Sequence, residues 1–148
     1  MKAANETEEK LLRNVVDDLA QALRAKDSRR ALSCYAPDRV QFLLAPPLQY
    51  AGATAMDMKG LEEWFSTFRG PLGYEVYNLN VAAKDDVAFC HSLNRLSGTK
   101  VDGERVDVWI RWTAGLRKIG SEWKITHEHE SVPFYMDGSY KAAIDLKP

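Results

Sequence analysis

The sequence predicts an α+β domain in which three N-terminal helices gather on one face of an antiparallel sheet. Two observations carry this. Apolar residues recur at spacings of three and four through the first half of the 148-residue chain. Near residue 71 that period gives way to long extended segments joined by short turns rich in Gly and Asp. Helices followed by a run of adjacent strands mark an α+β layer rather than alternating βαβ units.

From Glu6 to Ala25, Leu12, Val15, Val16, Leu19 and Leu23 form one apolar stripe, and Asn5 with Glu8 resembles a capping box. A shorter helix is expected from Asp27 or Ser28, turning Ala31, Leu32 and Tyr35 inward and stopping before Pro37, whose ring would clash. Val40, Phe42 and Leu44 alternate as a short strand closed by Pro46-Pro47, and residues 49–52 suggest a second small one. Leu61, Trp64, Phe65 and Phe68 predict a third helix ended by Gly70-Pro71. Strands are then expected over Tyr74 to Ala83, Val87 to Ser97, Val106 to Lys118 and Trp123 to Val132. Asp85-Asp86, a loop through Gly98 and Gly103, and Gly120-Ser121 separate them. Such short connections make an antiparallel meander.

The composition, 45% hydrophobic and 28% charged, is that of a globular chain long enough to bury a core. Twenty basic against twenty-one acidic residues leave a net charge of −1, so no general field draws the chain to nucleic acid or anionic lipid. Residues 1–10 lack the apolar core of a signal peptide, and no run reaches the roughly 18 apolar residues of a membrane span, so a cytoplasmic location is expected. Cys34 and Cys90 share no ligand spacing and are expected as buried free thiols. No cofactor is expected.

Four stretches carry a family likeness. They are Ala22-Leu23-Arg24-Ala25-Lys26-Asp27, Phe89-Cys90-His91-Ser92-Leu93-Asn94-Arg95, Leu116-Arg117-Lys118, and Trp123-x-Ile125-x-His127-Glu128-His129-Glu130-Ser131-Val132-Pro133-Phe134. On these the chain resembles the NTF2-like superfamily, in particular the SnoaL-like group of ketosteroid-isomerase homologues, and the likeness spans nearly the whole chain, so that one domain over residues 1–148 is expected. The resemblance implies a cone: a strongly curved sheet wrapping a long helix, a small-molecule pocket at the wide end, and a homodimer. It defines a reaction poorly, because the superfamily holds isomerases, dehydratases, hydrolases, cyclases and non-catalytic association domains.

With Gly120-Ser121 as a two-residue turn, Leu116 lies opposite Ile125, Ala114 opposite His127 and Trp112 opposite His129, on a face that also holds Val108, Ile110, Phe89, His91 and Leu93. The other face then carries Ser92, Asn94, Trp109, Arg111, Thr113, Glu128 and Glu130. Read plainly, that is a solvated surface laced with cross-strand ion pairs. The resemblance implies instead that it lines the pocket, with Glu128 as general base, Arg111 polarising a substrate oxygen, Glu130 holding Arg111, and Asn94, Trp109, Ser92 and Thr113 contacting substrate. Tyr35 and Trp64 are candidates for the rim. The set is similar to the carboxylate-Arg-carboxylate arrangement of limonene-epoxide-type hydrolases, although Thr113 replaces a carboxylate there. The steroid isomerases match less well, because Leu43 or Leu44 stands where their base would be and Leu19 near their helical Tyr.

His127 and His129 have a metal-ligand spacing, but a third ligand is missing, since His91 lies two strands away, about 9–10 Å. No metal is expected. The apolar face of Ile110, Trp112 and Ile125 is expected to meet a second copy of the chain. Were the helices to cover that face, the pocket would move to the side of His91, His127 and His129. Two functional readings stand: acid-base catalysis on an apolar, oxygen-bearing metabolite, and a non-catalytic dimeric ligand-binding module.

Overall fold

The structure is a computed structural model and describes residues 2–148, with side chains from Glu6 onward. Helix α1 (Lys2–Arg24) begins ahead of the expected Glu6, and the side chain of Asn5, half of the expected capping box, lies outside the described residues. Glu8 does different work. It accepts hydrogen bonds from Lys118 Nζ (2.7 Å) and Trp123 Nε1 (2.6 Å), tying the first turns of the helix to the sheet. Helix α2 (Ser28–Ser33) is capped by the Asp27 side chain, which accepts from the Arg30 N–H at 3.1 Å. Helix α3 (Met58–Ser66) is capped the same way by Asp57.

Six strands follow or interleave: β1 (Tyr35–Phe42), β2 (Tyr50–Ala51), β3 (Phe68–Lys84), β4 (Val87–Lys100), β5 (Arg105–Ile119) and β6 (Glu122–Ser131). They form one sheet in the order β2-β1-β6-β5-β4-β3, and the sheet is mixed, since β1 runs parallel to β6. Two breaks expected from proline are absorbed by strands. Tyr35 opens β1 rather than closing α2, with Pro37 inside that strand. Phe68 likewise opens β3 rather than ending α3, with Gly70-Pro71 beyond it. β3 is an edge strand, where a missing N–H costs no ladder bond, and its register shifts at Arg69/Gly73 around Gly70, which has φ +68°.

Helix α1 packs on both β3 and β6, three strands apart, so the sheet curves around it. At about 4.8 Å per strand a flat sheet would carry those two beyond the reach of one helix. The core joins Leu12, Val16, Leu19 and Ala22 of α1 to Ala88, Cys90, Trp112, Leu116, Trp123 and Ile125 of the sheet. This corrects the expected dimer face. Ile110, Trp112 and Ile125 are covered within the chain, at 2%, 2% and 0% exposure, so a second copy cannot dock on them. A smaller cluster of Phe65, Phe68 and Leu72 packs under α3.

Cys34 and Cys90 are buried and free, and burial pushes both thiols up to about 11, which leaves them unreactive. No described helix is long and apolar enough to cross a membrane. Because Ile125 sits at the centre of this packing, Ile125→Ala should cost about 2–5 kcal/mol in urea unfolding. Phe89→Ala, on the outer face of β4, should cost about 0.5 kcal/mol or less.

Candidate active site

One irregularity decides which side chains reach the interior. Leu116 pairs with Ile125 as expected, but Gly115 then pairs with His127, which leaves Thr126 as an extra residue in β6. Beyond this bulge Ala114 faces Glu128, Thr113 faces His129, Trp112 faces Glu130 and Arg111 faces Ser131. The glutamates therefore join Trp112 and Ile125 on the inner face, and the histidines turn outward. On β4 the inward set is Ala88, Cys90, Ser92 and Asn94. Phe89, His91 and Leu93 stand with Trp109, Arg111 and Thr113 outside.

The interior holds a cavity of about 240 Å³ between α1, α2, α3 and the inner face of the sheet. Its walls are mainly apolar, from Leu19, Leu23, Leu32, Leu61, Leu96 and Ile110 among others. The polar groups come from Tyr35, Gln41, Tyr50, Tyr74, Glu128 and Glu130, and among the described residues no Lys, Arg or His lines it. Leu44 and Ala45, on the segment joining β1 to β2, and Tyr50, which opens β2, also line it.

Glu128 is 4% exposed and held from several sides. Gln41 Nε2 donates to Oε2 at 2.6 Å, Trp112 Nε1 donates to Oε1 at 2.9 Å, and the Tyr35 hydroxyl donates as well. Gln41 is itself oriented by the Met56 N–H, which reaches its Oε1 at 3.4 Å. Burial, and then the negative charge of Glu128, push the Tyr35 hydroxyl well above its ordinary range, so it stays a donor.

Glu130 takes the opposite course. It faces the cavity, enclosed by protein, and a backbone N–H from Leu44 is its one hydrogen-bond donor among the described residues. Burial first, and the neighbouring Glu128 second, raise its carboxyl to about 8. Of the pair, Glu128 is thus held by donors, and Glu130, its carboxyl raised, faces the open space of the cavity.

Of the residues the sequence singled out, the structure brings Glu128, Glu130, Tyr35 and Trp64 to the cavity wall. Ser92 and Asn94 are buried one layer behind it, reaching it through Tyr74. Arg111, Trp109 and Thr113 are corrections. The helices cover the Ile110 and Trp112 side of β5, which puts these three on the outer face, where Arg111 is exposed and its Nε donates to Ser131 Oγ at 3.0 Å. Trp109 packs edge-on against Tyr77, ring centroids 6.0 Å apart. That outer face also carries the Arg95–Asp107 ion pair and fits the plain reading of a solvated sheet.

The histidines do not surround the chamber. His127 Nδ1 donates to the Val40 carbonyl at 2.7 Å, and both His127 and His129 pack edge-on against Phe42. Among the described residues no cluster of three or more His, Cys, Asp or Glu could hold a metal ion. Sequence reasoning missed Gln41 and Tyr74. Gln41 carried one signal, a polar side chain between the apolar Val40 and Phe42.

A curved α+β sheet wrapped on a long helix and closed over an acidic, mainly apolar chamber defines the class as an NTF2-like cone. The SnoaL-like domain family matches residues 12–135, and the chain belongs to that family. A solved NTF2-like protein of unknown function from Pseudomonas putida KT2440 is 35% identical, with 99% of this chain and 98% of that one covered and a TM-score of 0.82. A candidate scytalone dehydratase from Novosphingobium aromaticivorans shares the fold at 19% identity, with 88% and 87% covered and a TM-score of 0.76. So does a ketosteroid isomerase-like protein from Erwinia carotovora atroseptica, at 20% identity, with 82% and 93% covered and a TM-score of 0.65. No curated protein matches the chain.

The raised carboxyl has a stability consequence with a definite sign. From its ordinary 4.5 up to about 8, Glu130 ionises in the unfolded chain but stays protonated in the folded one. Stability is therefore lost progressively as pH rises through that window and levels off above it. Urea midpoints should fall from pH 5 to pH 8 in the native chain. Glu130→Gln should flatten the profile and leave the variant more stable than the parent at pH 8.

Proposed function

We propose that the chain is an acid-base enzyme of the dehydratase or isomerase type, acting in the inner cavity on a neutral, apolar, oxygen-bearing small molecule, with Glu130 as the proton-transferring group. The observation that carries this reading is the unequal glutamate pair. Glu128 accepts from Gln41, Trp112 and Tyr35, whereas Glu130 meets the cavity with a carboxyl raised to about 8. A group that titrates near neutrality serves both halves of such a reaction. Ionised, it takes a proton from carbon next to a carbonyl. Protonated, it returns that proton to another carbon or gives it to a departing hydroxyl.

Size and charge bound the substrate. An apolar cavity of about 150 Å³ holds benzene, so about 240 Å³ suits a molecule of one or two rings. With two carboxyl groups and, among the described residues, no basic side chain on the wall, a carboxylate or phosphate would enter without a counter-charge. Fold relatives described as a candidate scytalone dehydratase and a ketosteroid isomerase-like protein agree with this reaction class. Arg111 has no part in it. Glu128 acts by fixing the field at Glu130 and anchoring the wall, which inverts the roles the sequence suggested for the two glutamates.

The alternative is a ligand-binding module using the same chamber. Proton exchange separates the two without knowledge of the natural substrate. Neutral cyclic ketones that bind the protein should lose their α-protons to D2O faster in its presence, followed by proton NMR. Glu130→Gln should slow that exchange by at least about 100-fold while leaving ketone affinity nearly unchanged. Ketones that bind without any accelerated exchange would favour the module.

A further inference from the structure

Of the three tyrosines on the cavity wall, two have already committed their protons. The Tyr35 hydroxyl donates to Glu128, and that of Tyr50 donates to the Pro46 carbonyl at 2.6 Å. Tyr74 differs. Its oxygen accepts from Asn94 Nδ2 at 2.9 Å, and Asn94 Oδ1 in turn accepts from Ser92 Oγ at 2.7 Å. The chain of donors runs from β4 towards the cavity and ends on Tyr74.

A phenol has one proton to give and lone pairs to receive. Tyr74 is using a lone pair, and none of the described residues accepts its proton. Tyr74, Asn94 and Ser92 are 7%, 1% and 5% exposed, so bulk water does not meet the need, and the cavity is the open direction. A buried hydroxyl without an acceptor carries a free-energy penalty that a ligand oxygen would remove.

We infer that Tyr74 is the hydrogen-bond donor for the substrate's oxygen, that Asn94 and Ser92 are positioning residues acting through it, and that the ligand presents a neutral carbonyl oxygen to it. The inference rests on the reading of this cavity as an acid-base site, and it supplies the electrophilic partner that Arg111 does not provide. When ionised Glu130 takes a proton from the carbon beside the carbonyl, the pair of the broken C–H bond forms a C=C bond and the carbonyl π pair moves onto the oxygen. The Tyr74 hydrogen bond strengthens as that charge develops. Burial, with the charges of Glu130 and Glu128 added, drives the Tyr74 hydroxyl far above its ordinary range. The proton is therefore shared with the substrate oxygen rather than lost to it.

Two probes of matched shape test this: the ketone 2-tetralone and its hydrocarbon tetralin, measured by calorimetry, with the ketone's carbonyl stretch followed by infrared difference spectroscopy. The native chain should bind the ketone more tightly than the hydrocarbon and lower its carbonyl frequency. Tyr74→Phe should weaken ketone binding by about 5- to 10-fold, the loss of one neutral hydrogen bond. It should also return the frequency to its value in an apolar solvent, with tetralin affinity unchanged.

Asn94→Leu should leave Tyr74 in place and give a frequency between the two, which a merely structural role would not produce. Should Tyr74→Phe fail to hold tetralin, and so be misfolded, the Asn94→Leu frequency decides. A wild-type frequency and affinity in Tyr74→Phe, or a wild-type frequency in Asn94→Leu, overturns the inference and leaves Glu130 as acid-base group untouched. Failure of both probes to bind the native chain overturns it together with the reading of the cavity.

Discussion

A carboxyl group enclosed by apolar walls must either be surrounded by donors or keep its proton. The two inward glutamates of β6 take one solution each. Glu128 is clasped by Gln41, Trp112 and Tyr35, three side chains from β1 and β5 that have little other reason to converge. Its charge then helps to hold Glu130 neutral. Burial raises Glu130, which has none of the side-chain donors that converge on Glu128. The asymmetry is set by geometry, because Gln41, Trp112 and Tyr35 all converge on Glu128 and none of them reaches Glu130.

That arrangement depends on a single extra residue. Without Thr126 the alternation of β6 would carry Glu128 and Glu130 to the outside, where Arg111 and Arg95 stand, and would place His127 and His129 in the chamber. Strict period-two reasoning from the Gly120-Ser121 turn leads to that arrangement, which is why the sequence grouped the glutamates with Arg111. Gly115, a glycine in the interior of a strand opposite the bulge, was the available sign of an irregular ladder. A glycine says that the ladder is disturbed, but not in which strand or in which direction, so the parity of two strands could not be read from it.

Much of the fold was legible for the opposite reason. The helical stripe of Leu12, Val16, Leu19 and Leu23 and the turn at Gly120-Ser121 are local signals that tertiary packing reinforces. Proline misled at two of the three places where it was taken as a stop, while Pro46-Pro47 does lie beyond the end of β1. Pro37 and Pro71 sit in strands, where bulged or edge positions tolerate the missing N–H. The covering of Ile110, Trp112 and Ile125 by α1 follows from the same apolar patterning that had suggested a subunit interface: a large apolar face must be covered, and here the chain covers its own. Tyr35 and Trp64 were found among the aromatics, whereas Gln41 and Tyr74 matter through partners far along the chain, and such partners have no signature in local spacing.

The account stands or falls on the protonation of one side chain. Titration of the Glu130 carboxyl by carbon NMR, assigned by comparison with Glu130→Gln, should show a midpoint near 8 in the folded protein. A midpoint near the ordinary glutamate value of 4.5 would mean that the group is solvated or ion-paired, and it would contradict both the enclosed site and the chemistry built on it.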